Sequence, residues 1–433
     1  MIQVKRGGGR RAKVGACVPS ECAVTHPSCL ATPALLHRRT PLAGSRLTVA
    51  LTLLTAAAAP TAAFADPPIP AFYQPDPAAL AGPPGGLIRS EALPDAPPGA
   101  TAYRLLYRSQ APDGTPLAVS AVALIPTAAA PPQGRTVVAW AHPTSGVEPQ
   151  CAPSLARARF RQIQGLPALL AQGNIVVATD YPGLGTTGPH PYLVGVSEGR
   201  AVLDSVRAAR ALPGAHAGGR YALWGHSQGG HAALFAAQMA ADYLPGSTLA
   251  GVAVAAPATQ LDTLLRDDAD SDGGRNITAM TLWSWHRVYG LPLEDVLDPS
   301  AMPAVDALSA ECIESAVDLV ERKWSGRFLK EKFLSVPDIA AVEPWKRLLR
   351  QNIPGLPPRA VPVFIAQGEA DTLVRPAVTA AYRQQLCAQG SAVRWVSVPK
   401  AGHGFIARDV APDAVQWLGE RLAGVPAPDD CPR

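Results

Sequence analysis

The sequence predicts an α/β protein with a mostly parallel, doubly wound sheet that is interrupted by a helical insertion. The first observation is a series of short apolar runs that alternate with helical stretches, as buried parallel strands and their crossover helices do. The second is one long interval between the runs that end near Ala255 and begin at Val361. That interval of about a hundred residues greatly exceeds the roughly thirty residues of one βαβ unit.

The chain is long and apolar enough for a sizeable core, with 433 residues of which 48% are hydrophobic. Its formal charge of +4 comes from the first 65 residues, which hold eight Lys or Arg and one acidic residue. The remainder carries 30 basic and 33 acidic residues. This balance excludes a strongly basic surface, and we expect no nucleic-acid partner.

Residues 1–65 are typical of a signal peptide with an extended basic region. Arginines precede the uncharged run Leu47 to Ala65, which closes on the small-residue pattern Ala63-Phe64-Ala65. The alternative is a membrane anchor, since the run is about long enough to span a bilayer. Pro60 and the cleavage pattern favour removal of the segment. We therefore expect a secreted or periplasmic protein with no stable membrane span after cleavage.

Cysteine usage agrees with export. Four cysteines follow the predicted cleavage site: Cys151, Cys312, Cys387 and Cys431. An even number in an exported chain predicts two disulfides, for which three pairings are possible. No C-x-x-C pair remains, so a structural zinc site is not predicted.

The predicted sheet begins with a hairpin. Residues Asp66 to Pro98, rich in Pro, Ala and Gly, are expected to wrap the surface, and then Tyr103–Tyr107 and Leu117–Ile125 flank the turn sequence Pro112-Asp113-Gly114. Later apolar runs predict parallel strands at Thr136–Ala141, Ile175–Thr179, Tyr221–Trp224, Leu249–Ala255, Val361–Ala366 and Val393–Val398. Helices are predicted at Gly199–Leu212 and Val410–Leu422.

These elements divide the chain into a core of residues 66–259 and 359–433 and an insertion of residues 260–358. Ligands of open α/β sheets bind at the carboxyl ends of the strands, so we interpret the insertion as a cap or lid over that edge. The alternative is an accessory helical bundle with its own aromatic core, because the insertion holds Trp283, Trp285, Trp324 and Trp345.

An acidic run in this insertion resembles the first half of a calcium loop. Asp268, Asp270, Asp272 and Gly273 have the spacing of an EF-hand, but Ala279 occupies the twelfth position, where a bidentate Glu is required. We interpret the run as a solvated loop and predict no metal site.

The strongest motif is Gly225-His226-Ser227-Gln228-Gly229, which follows the apolar strand Tyr221–Trp224 and precedes the Ala-rich helix Ala232–Ala241. G-x-S-x-G between a strand and a helix is typical of the nucleophile turn of α/β-hydrolases, where close-packed backbone requires glycine and the serine is presented at a helix N-terminus. The sequence therefore predicts Ser227 as a nucleophile within an α/β-hydrolase fold.

A serine hydroxyl needs a base, and in this fold the base follows the last strand. His403 follows the strand Val393–Val398 and fits that position, whereas His226 and His231 lie too close to Ser227 in sequence to reach it. We expect His226 to line the pocket or pack locally. The acid should follow the preceding strand, which favours Asp371 over Glu369, two residues earlier.

The oxyanion formed at the ester carbonyl needs two N–H donors. Gln228, the residue after the nucleophile, supplies one, and the loop after Thr136–Ala141 should supply the other. Pro143 has no N–H, so the sequence favours Thr144.

Several motifs taken together resemble the secretory lipase family, the yeast lipase-A type and its bacterial relatives. They are His142-Pro-Thr-Ser-Gly146, Cys151-Ala-Pro-Ser154, Asp180-Tyr-Pro-Gly-Leu-Gly185, the Ser227 turn, the Asp371 loop and Gly402-His403-Gly404. The resemblance implies a lidded carboxylester hydrolase acting on acylglycerols or simpler esters. It also implies Cys151–Cys312 and Cys387–Cys431 disulfides. Pro143 departs from the glycine expected in the oxyanion loop.

We therefore expect a monomeric lipase or esterase that acts on a small-molecule ester or lipid through an acyl-enzyme on Ser227, without a cofactor. The same residues would serve a serine peptidase or amidase, or an acyltransferase to an alcohol other than water. A catalytically inactive binding protein is the alternative of another class, disfavoured because all three catalytic residue types stand where the fold needs them.

Overall fold

The computed structural model describes residues 68–267, 269–314 and 322–432, so the predicted signal peptide lies outside the described residues. In this part of the chain one nine-stranded sheet runs in the order β1-β2-β3-β5-β4-β6-β7-β8-β9. Its strands are β1 Leu87–Leu93, β2 Ala100–Gln110, β3 Pro116–Pro126, β4 Arg135–Ala141, β5 Ile175–Thr179, β6 Ala217–His226, β7 Thr248–Ala255, β8 Val363–Gly368 and β9 Val393–Val398.

The predicted hairpin is confirmed as β2 and β3, which pair antiparallel with Tyr107 opposite Val119. The segment expected to wrap the surface, residues 66–98, also contains a strand that was not predicted, β1, which pairs antiparallel with β2. β1 is an edge strand whose polar centre is exposed, so it lacks the alternating apolar pattern that marks a half-buried strand. Its pairing is reinforced by a salt bridge of 2.6 Å between Glu91 and Arg104.

The six strands from β5 to β9 along the sheet are parallel, as predicted. β4 pairs with β5 on one side and β6 on the other, so the chain reverses its direction of travel across the sheet at β4. Ligands of open α/β sheets bind where the strand order reverses in this way. The loops after β4 and β6, which carry Thr144 and Ser227, meet at this point.

The sheet is covered on both faces, which explains why its central strands are apolar throughout. Trp140 and Trp224 lie opposite each other in β4 and β6, on one face, with ring centroids 5.4 Å apart. Val137 and Leu223 belong to the core on the other face. The helices are α1 Leu166–Ala171, α2 Gly195–Arg210, α3 Gln228–Tyr243, α4 Leu261–Asp267, α5 Asp272–Tyr289, α6 Met302–Ala310, α7 Trp345–Gln351, α8 Pro376–Gln389, α9 Ile406–Asp409 and α10 Ala411–Leu422.

Helices α4 to α7 lie in the long interval between β7 and β8, two strands that are neighbours in the sheet. Three of its tryptophans are buried, and the rings of Trp285 and Trp345 stack with centroids 6.3 Å apart. Trp324 differs, because 68% of it is exposed. No helix among the residues that the structure describes is both long and apolar enough to cross a membrane.

The described residues contain two disulfides, and their pairings are those that the resemblance implied. Cys151–Cys312 joins the loop after β4 to the interval between β7 and β8. Cys387–Cys431 joins α8 to the C-terminal segment. Gly146 packs against the first bridge: a Cβ there would lie 2.5 Å from the Cys151 sulfur, so the bridge needs glycine at this position.

Candidate active site

Ser227 occupies a tight turn between β6 and α3. Its backbone has φ 56° and ψ −117°, a strained conformation for a residue with a side chain. Gly225 makes the turn possible, because a Cβ there would lie 2.1 Å from the carbonyl oxygen of Gly229. The strand-turn-helix sequence therefore presents the serine hydroxyl at the N-terminus of α3, where the helix dipole favours negative charge.

Gly229 brings a second loop to the same place. A Cβ at Gly229 would lie 1.9 Å from the carbonyl oxygen of Ala141, the last residue of β4. Only glycine permits this approach, so the loop that begins at His142 packs directly against the first turn of α3. The N–H groups of that loop and of α3 can thus face one substrate atom.

His403 and Asp371 complete a hydrogen-bonded chain with Ser227. The His403 Nε2 lies 2.8 Å from the Ser227 Oγ, and its Nδ1 lies 2.8 Å from Asp371 Oδ2. His403 starts a short 3₁₀ turn after β9, and Asp371 lies in the loop after β8. With the proton on Nδ1, Nε2 is an acceptor for the serine proton, which is the arrangement that general-base catalysis needs.

Asp371 is held in its ionised form. Its Oδ1 accepts hydrogen bonds of 2.9 Å from the backbone N–H groups of Leu373 and Val374, while Oδ2 faces His403. Burial alone would raise the pKa of Asp371, but the hydrogen bond with His403, its charge and the two backbone N–H groups together hold that pKa below its usual value. The carboxylate therefore remains charged to orient the imidazole.

His226 packs against His403. Local packing is one of the two roles expected of His226 from the sequence, the other being to line the pocket. Its Nε2–H donates a hydrogen bond of 3.0 Å to the His403 carbonyl oxygen, and the two rings lie 5.0 Å apart. Burial, together with the neighbouring His403, lowers the pKa of His226 to about 3. The ring is therefore neutral and anchors the loop that carries His403.

The predicted oxyanion donors lie at the two converging loops. Gln228 is the first residue of α3, so its backbone N–H has no acceptor within the helix. Within the described residues the Thr144 N–H has no backbone acceptor either. The Thr144 hydroxyl is 2.8 Å from the Tyr192 hydroxyl, and this hydrogen bond joins the oxyanion loop to the Tyr192 loop.

A buried polar network lies beneath the nucleophile and was not predicted from the sequence. Glu198 of α2 accepts hydrogen bonds from the Leu193 N–H at 2.9 Å and from the Gln228 side chain at 2.7 Å, and its other oxygen lies 2.9 Å from His231 Nδ1. Both Glu198 and His231 are fully buried. This pair joins α2 to the first turn of α3 and so holds the residues that flank Ser227.

The network continues into the interval between β7 and β8. His231 Nε2–H donates to the Asn352 carbonyl oxygen at 2.8 Å, while the Asn352 side chain accepts from the Gly195 N–H at 2.9 Å. Both ring nitrogens of His231 face oxygen atoms, so the ring is held from two sides. The nucleophile helix is thereby tied to the end of α7.

An apolar pocket opens at Ser227. Ser227 and Gln228 form one side of it, and the rest comes from the Tyr192 loop, the Asp371 loop and helices α4 and α5. The apolar lining residues include Leu193, Leu261, Leu264, Leu265, Ile277, Leu373 and Val374. Such a lining favours an apolar group bound beside the serine.

The model of the family described as secretory lipase matches residues 162–430, more than half of the chain. The chain belongs to the secretory lipase family. The match includes Ser227, Asp371 and His403 but not Thr144.

Individual relatives agree with this family. Lipase A of Arthroderma benhamiae is 26% identical over 407 residues, covering 84% of this chain and 82% of that protein. A Mycobacterium tuberculosis protein named "Probable inactive lipase" is also 26% identical, over 83% of both chains. Among solved structures, Candida antarctica lipase A superposes with a TM-score of 0.70 at 18% identity, over 84% of this chain and 87% of its own. The predicted α/β-hydrolase fold is confirmed.

The structure of this family member brings the three predicted catalytic side chains together and leaves Glu369 outside. The Glu369 side chain is exposed and accepts a hydrogen bond of 2.9 Å from the Ser397 hydroxyl. Glu198, Tyr192 and the cavity lining were missed, because they join the site only through tertiary packing. The one available signal for this network was Glu198, a charged residue within an apolar helix, because charged residues are seldom fully buried unless they are paired.

Proposed function

We propose that this protein hydrolyses carboxylic esters with an apolar acyl group through an acyl-enzyme on Ser227. The observation that carries the proposal is the hydrogen-bonded chain from Ser227 Oγ to His403 to Asp371, with 2.8 Å between partners, at the mouth of an apolar cavity. The lipase family and the lipase relatives support the same reaction class.

In the first step His403 Nε2 takes the hydroxyl proton as Ser227 Oγ bonds to the ester carbonyl carbon. The carbonyl oxygen becomes an oxyanion, stabilised by the N–H groups of Gln228 and Thr144. His403 then gives its proton to the leaving alkoxide as the ester C–O bond breaks. Water attacks the acyl-enzyme with His403 again as base, which releases the carboxylic acid and restores the serine.

We propose residues 260–358 as the cap that forms the acyl-binding wall, between core segments 66–259 and 359–433. Its helices α4 and α5 contribute Leu261, Leu264 and Ile277 to the cavity at Ser227. This arrangement favours a cap over the alternative of a bundle with no contact to the site, although the buried tryptophans show that the segment also has an aromatic core.

We propose export as well, with residues 1–65 as a cleaved signal peptide. Two disulfides among the described residues support an oxidising compartment, and the family is described as secretory. We propose a monomer as the working form, acting on a small-molecule ester or lipid.

The decisive experiment is hydrolysis of p-nitrophenyl esters from C2 to C16 by the protein and by Ser227→Ala. Loss of the serine should reduce kcat by at least about 10⁴-fold, since residues of a triad act as a unit. Equal rates for the two proteins would overturn the assignment of Ser227. Turnover of matched amides but not esters would favour a peptidase or amidase instead, while no turnover and no reaction with a serine-directed phosphonate would favour an inactive binding protein.

A further inference from the structure

Exposed aromatic side chains are concentrated in one short segment of the insertion. Within the described residues, four large apolar side chains are exposed, and two of them, Trp324 at 68% and Phe328 at 59%, stand four residues apart. The segment is anchored to the protein, because Gly326 and Leu329 are buried in the turn Gly326–Lys330. The two rings are thus presented to solvent by an ordered turn.

An arginine fixes the orientation of both rings. The Arg327 guanidinium carbon lies 3.3 Å from the ring centroid of Trp324 and 4.1 Å from that of Phe328. A guanidinium on aromatic faces is a favourable cation–π arrangement that leaves the ring edges free. The result is a surface element with apolar edges and a positive centre.

The charge of this segment differs from that of the rest of the chain. Residues 323–332 include four basic residues, Lys323, Arg327, Lys330 and Lys332, and one acidic residue, Glu331. Acidic residues outnumber basic ones over residues 66–433, at 33 to 30. Lys330 also has an acidic neighbour, with its Nζ 3.3 Å from the Asp272 carboxylate. Aromatic and basic side chains in this combination suit the interface of an anionic lipid layer.

The segment lies beside the helix that lines the acyl cavity. A Cβ on Gly326 would lie 3.3 Å from the Asn276 side chain of α5, and Lys330 reaches Asp272 at the start of the same helix. Gly274 and Ile277 of that helix line the cavity at Ser227. A surface that receives Trp324 and Phe328 would therefore lie close to the acyl-binding wall.

We propose that residues 323–332 dock the protein onto an anionic lipid surface, through the edges of Trp324 and Phe328 and the positive charge of Lys323, Arg327 and Lys332. The inference extends the proposed function, because it states where that reaction takes place, and its binding test does not depend on turnover. Apolar rings would enter the interfacial region while the basic groups remain at the headgroups.

The test uses Ser227→Ala protein, so that no lipid is consumed, and vesicles of phosphatidylglycerol with phosphatidylcholine or of phosphatidylcholine alone. We expect co-sedimentation with the anionic vesicles that weakens at least tenfold in W324A/F328A and in K323E/K332E, and that falls as salt is raised. Val425→Ala, which alters an exposed apolar residue outside the segment, should bind as the parent does. Thermal unfolding of each variant controls for folding.

Two results would overturn the proposal. One is undiminished vesicle binding by W324A/F328A with its fold intact, or no preference for anionic over neutral vesicles. The other is a concentration-dependent dimer in analytical ultracentrifugation that W324A/F328A abolishes, which would assign the segment to a second copy of this chain. If the Ser227→Ala protein binds vesicles as expected while the unmutated protein hydrolyses no ester, the docking surface stands and the proposed reaction fails.

Discussion

The Asp371 carboxylate lies 2.8 Å from His403 Nδ1, and its second oxygen is held by two backbone N–H groups of its own loop. The hydrogen bond selects the imidazole tautomer whose Nε2 can accept a proton from Ser227. The backbone donors keep the carboxylate from rotating away. The loop after β8 therefore orients the imidazole, while His226 anchors the loop that carries it.

Asp371→Asn tests this relationship. An amide can present its N–H to Nδ1 and so favours the wrong tautomer, and we expect kcat to fall by about 10⁴-fold with little change in stability. The measurement is steady-state hydrolysis of a soluble p-nitrophenyl ester, with circular dichroism as the folding control. Glu369→Gln is the matched variant, since that exposed side chain accepts a hydrogen bond from Ser397 and none from His403 among the described residues, and a comparable loss there would refute the assignment of the acid.

Glu198→Gln tests the buried network beneath the nucleophile. The substitution replaces the carboxylate that faces His231 in a fully buried pair by an uncharged amide, and we expect the free energy of unfolding to fall by about 3 kcal/mol. Urea denaturation measures the change. Asp409→Asn removes a charge from an exposed 2.9 Å contact with Arg408 and should cost less than about 1 kcal/mol. Equal losses in the two variants would show that burial of the Glu198 pair is of no consequence.

Ile277→Trp tests the acyl-binding wall. The larger side chain would occupy part of the cavity that Ile277 lines beside Ser227, so esters with long acyl chains should lose at least about tenfold in kcat/KM while acetate esters change little. The comparison is a series of p-nitrophenyl esters at matched enzyme concentration. Arg266→Trp places the same bulk on the exposed end of α4, and a shift of chain-length preference there instead would locate the acyl chain elsewhere.

The two disulfides should differ in their contribution to stability. Cys151–Cys312 closes a sequence separation of 161 residues and Cys387–Cys431 one of 44. In the chain-entropy model these loops correspond to about 5 and about 4 kcal/mol, so C151A/C312A should be about 1 kcal/mol less stable than C387A/C431A. Denaturant titration of both double variants measures their free energies of unfolding. A lower stability of C387A/C431A than of C151A/C312A would contradict the entropic account.

His190 should contribute a loss of stability on mild acidification. Its Nδ1–H donates to the Pro182 carbonyl oxygen and its Nε2 accepts from Gln228, and burial lowers the pKa of His190 to about 4. In the unfolded chain His190 binds a proton near its ordinary pKa of 6.5, whereas in the folded chain it stays neutral until the pH approaches 4. The contribution of neutral His190 to the free energy of unfolding is therefore complete above pH 6.5, and it is lost as the pH falls from 6.5 through 4.

His190→Asn removes this titration. Unfolding free energies measured in urea at pH 7.5 and pH 5.0 should show a smaller decrease on acidification in the variant than in the parent protein. The parent slope also contains His226, whose pKa is lowered to about 3, so the variant should retain part of it. An unchanged slope would mean that His190 is not the group that resists protonation.

The strands and the three side chains of the hydrogen-bonded chain could be predicted because each depends on local sequence. Short apolar runs mark buried parallel strands, and Ser227, Asp371 and His403 each follow directly after one. Strand β1 could not be predicted, since an exposed edge strand has no apolar alternation.

The surroundings of the site depend on contacts between distant segments. Glu198 meets His231 only when α2 packs on α3, and the cavity forms only when α4 and α5 lie near the Asp371 loop. Nothing in the spacing of those residues specifies these approaches. An aromatic core in the insertion, the alternative that the sequence offers for its tryptophans, does not include Trp324, which the structure exposes; composition does not determine which face of a turn is covered.

Strands β7 and β8 are hydrogen-bonded neighbours, with Val254 opposite Ile365. Because the two strands are parallel, the chain leaves at the carboxyl end of β7 and re-enters at the amino end of β8, and these two fixed points do not depend on the length of the excursion between them. Lengthening such an excursion costs little closure entropy, about 0.6 kcal/mol for each doubling. A lineage could therefore enlarge, trim or exchange this whole excursion, and with it the substrates accepted, while the strands that carry Ser227, Asp371 and His403 keep their register.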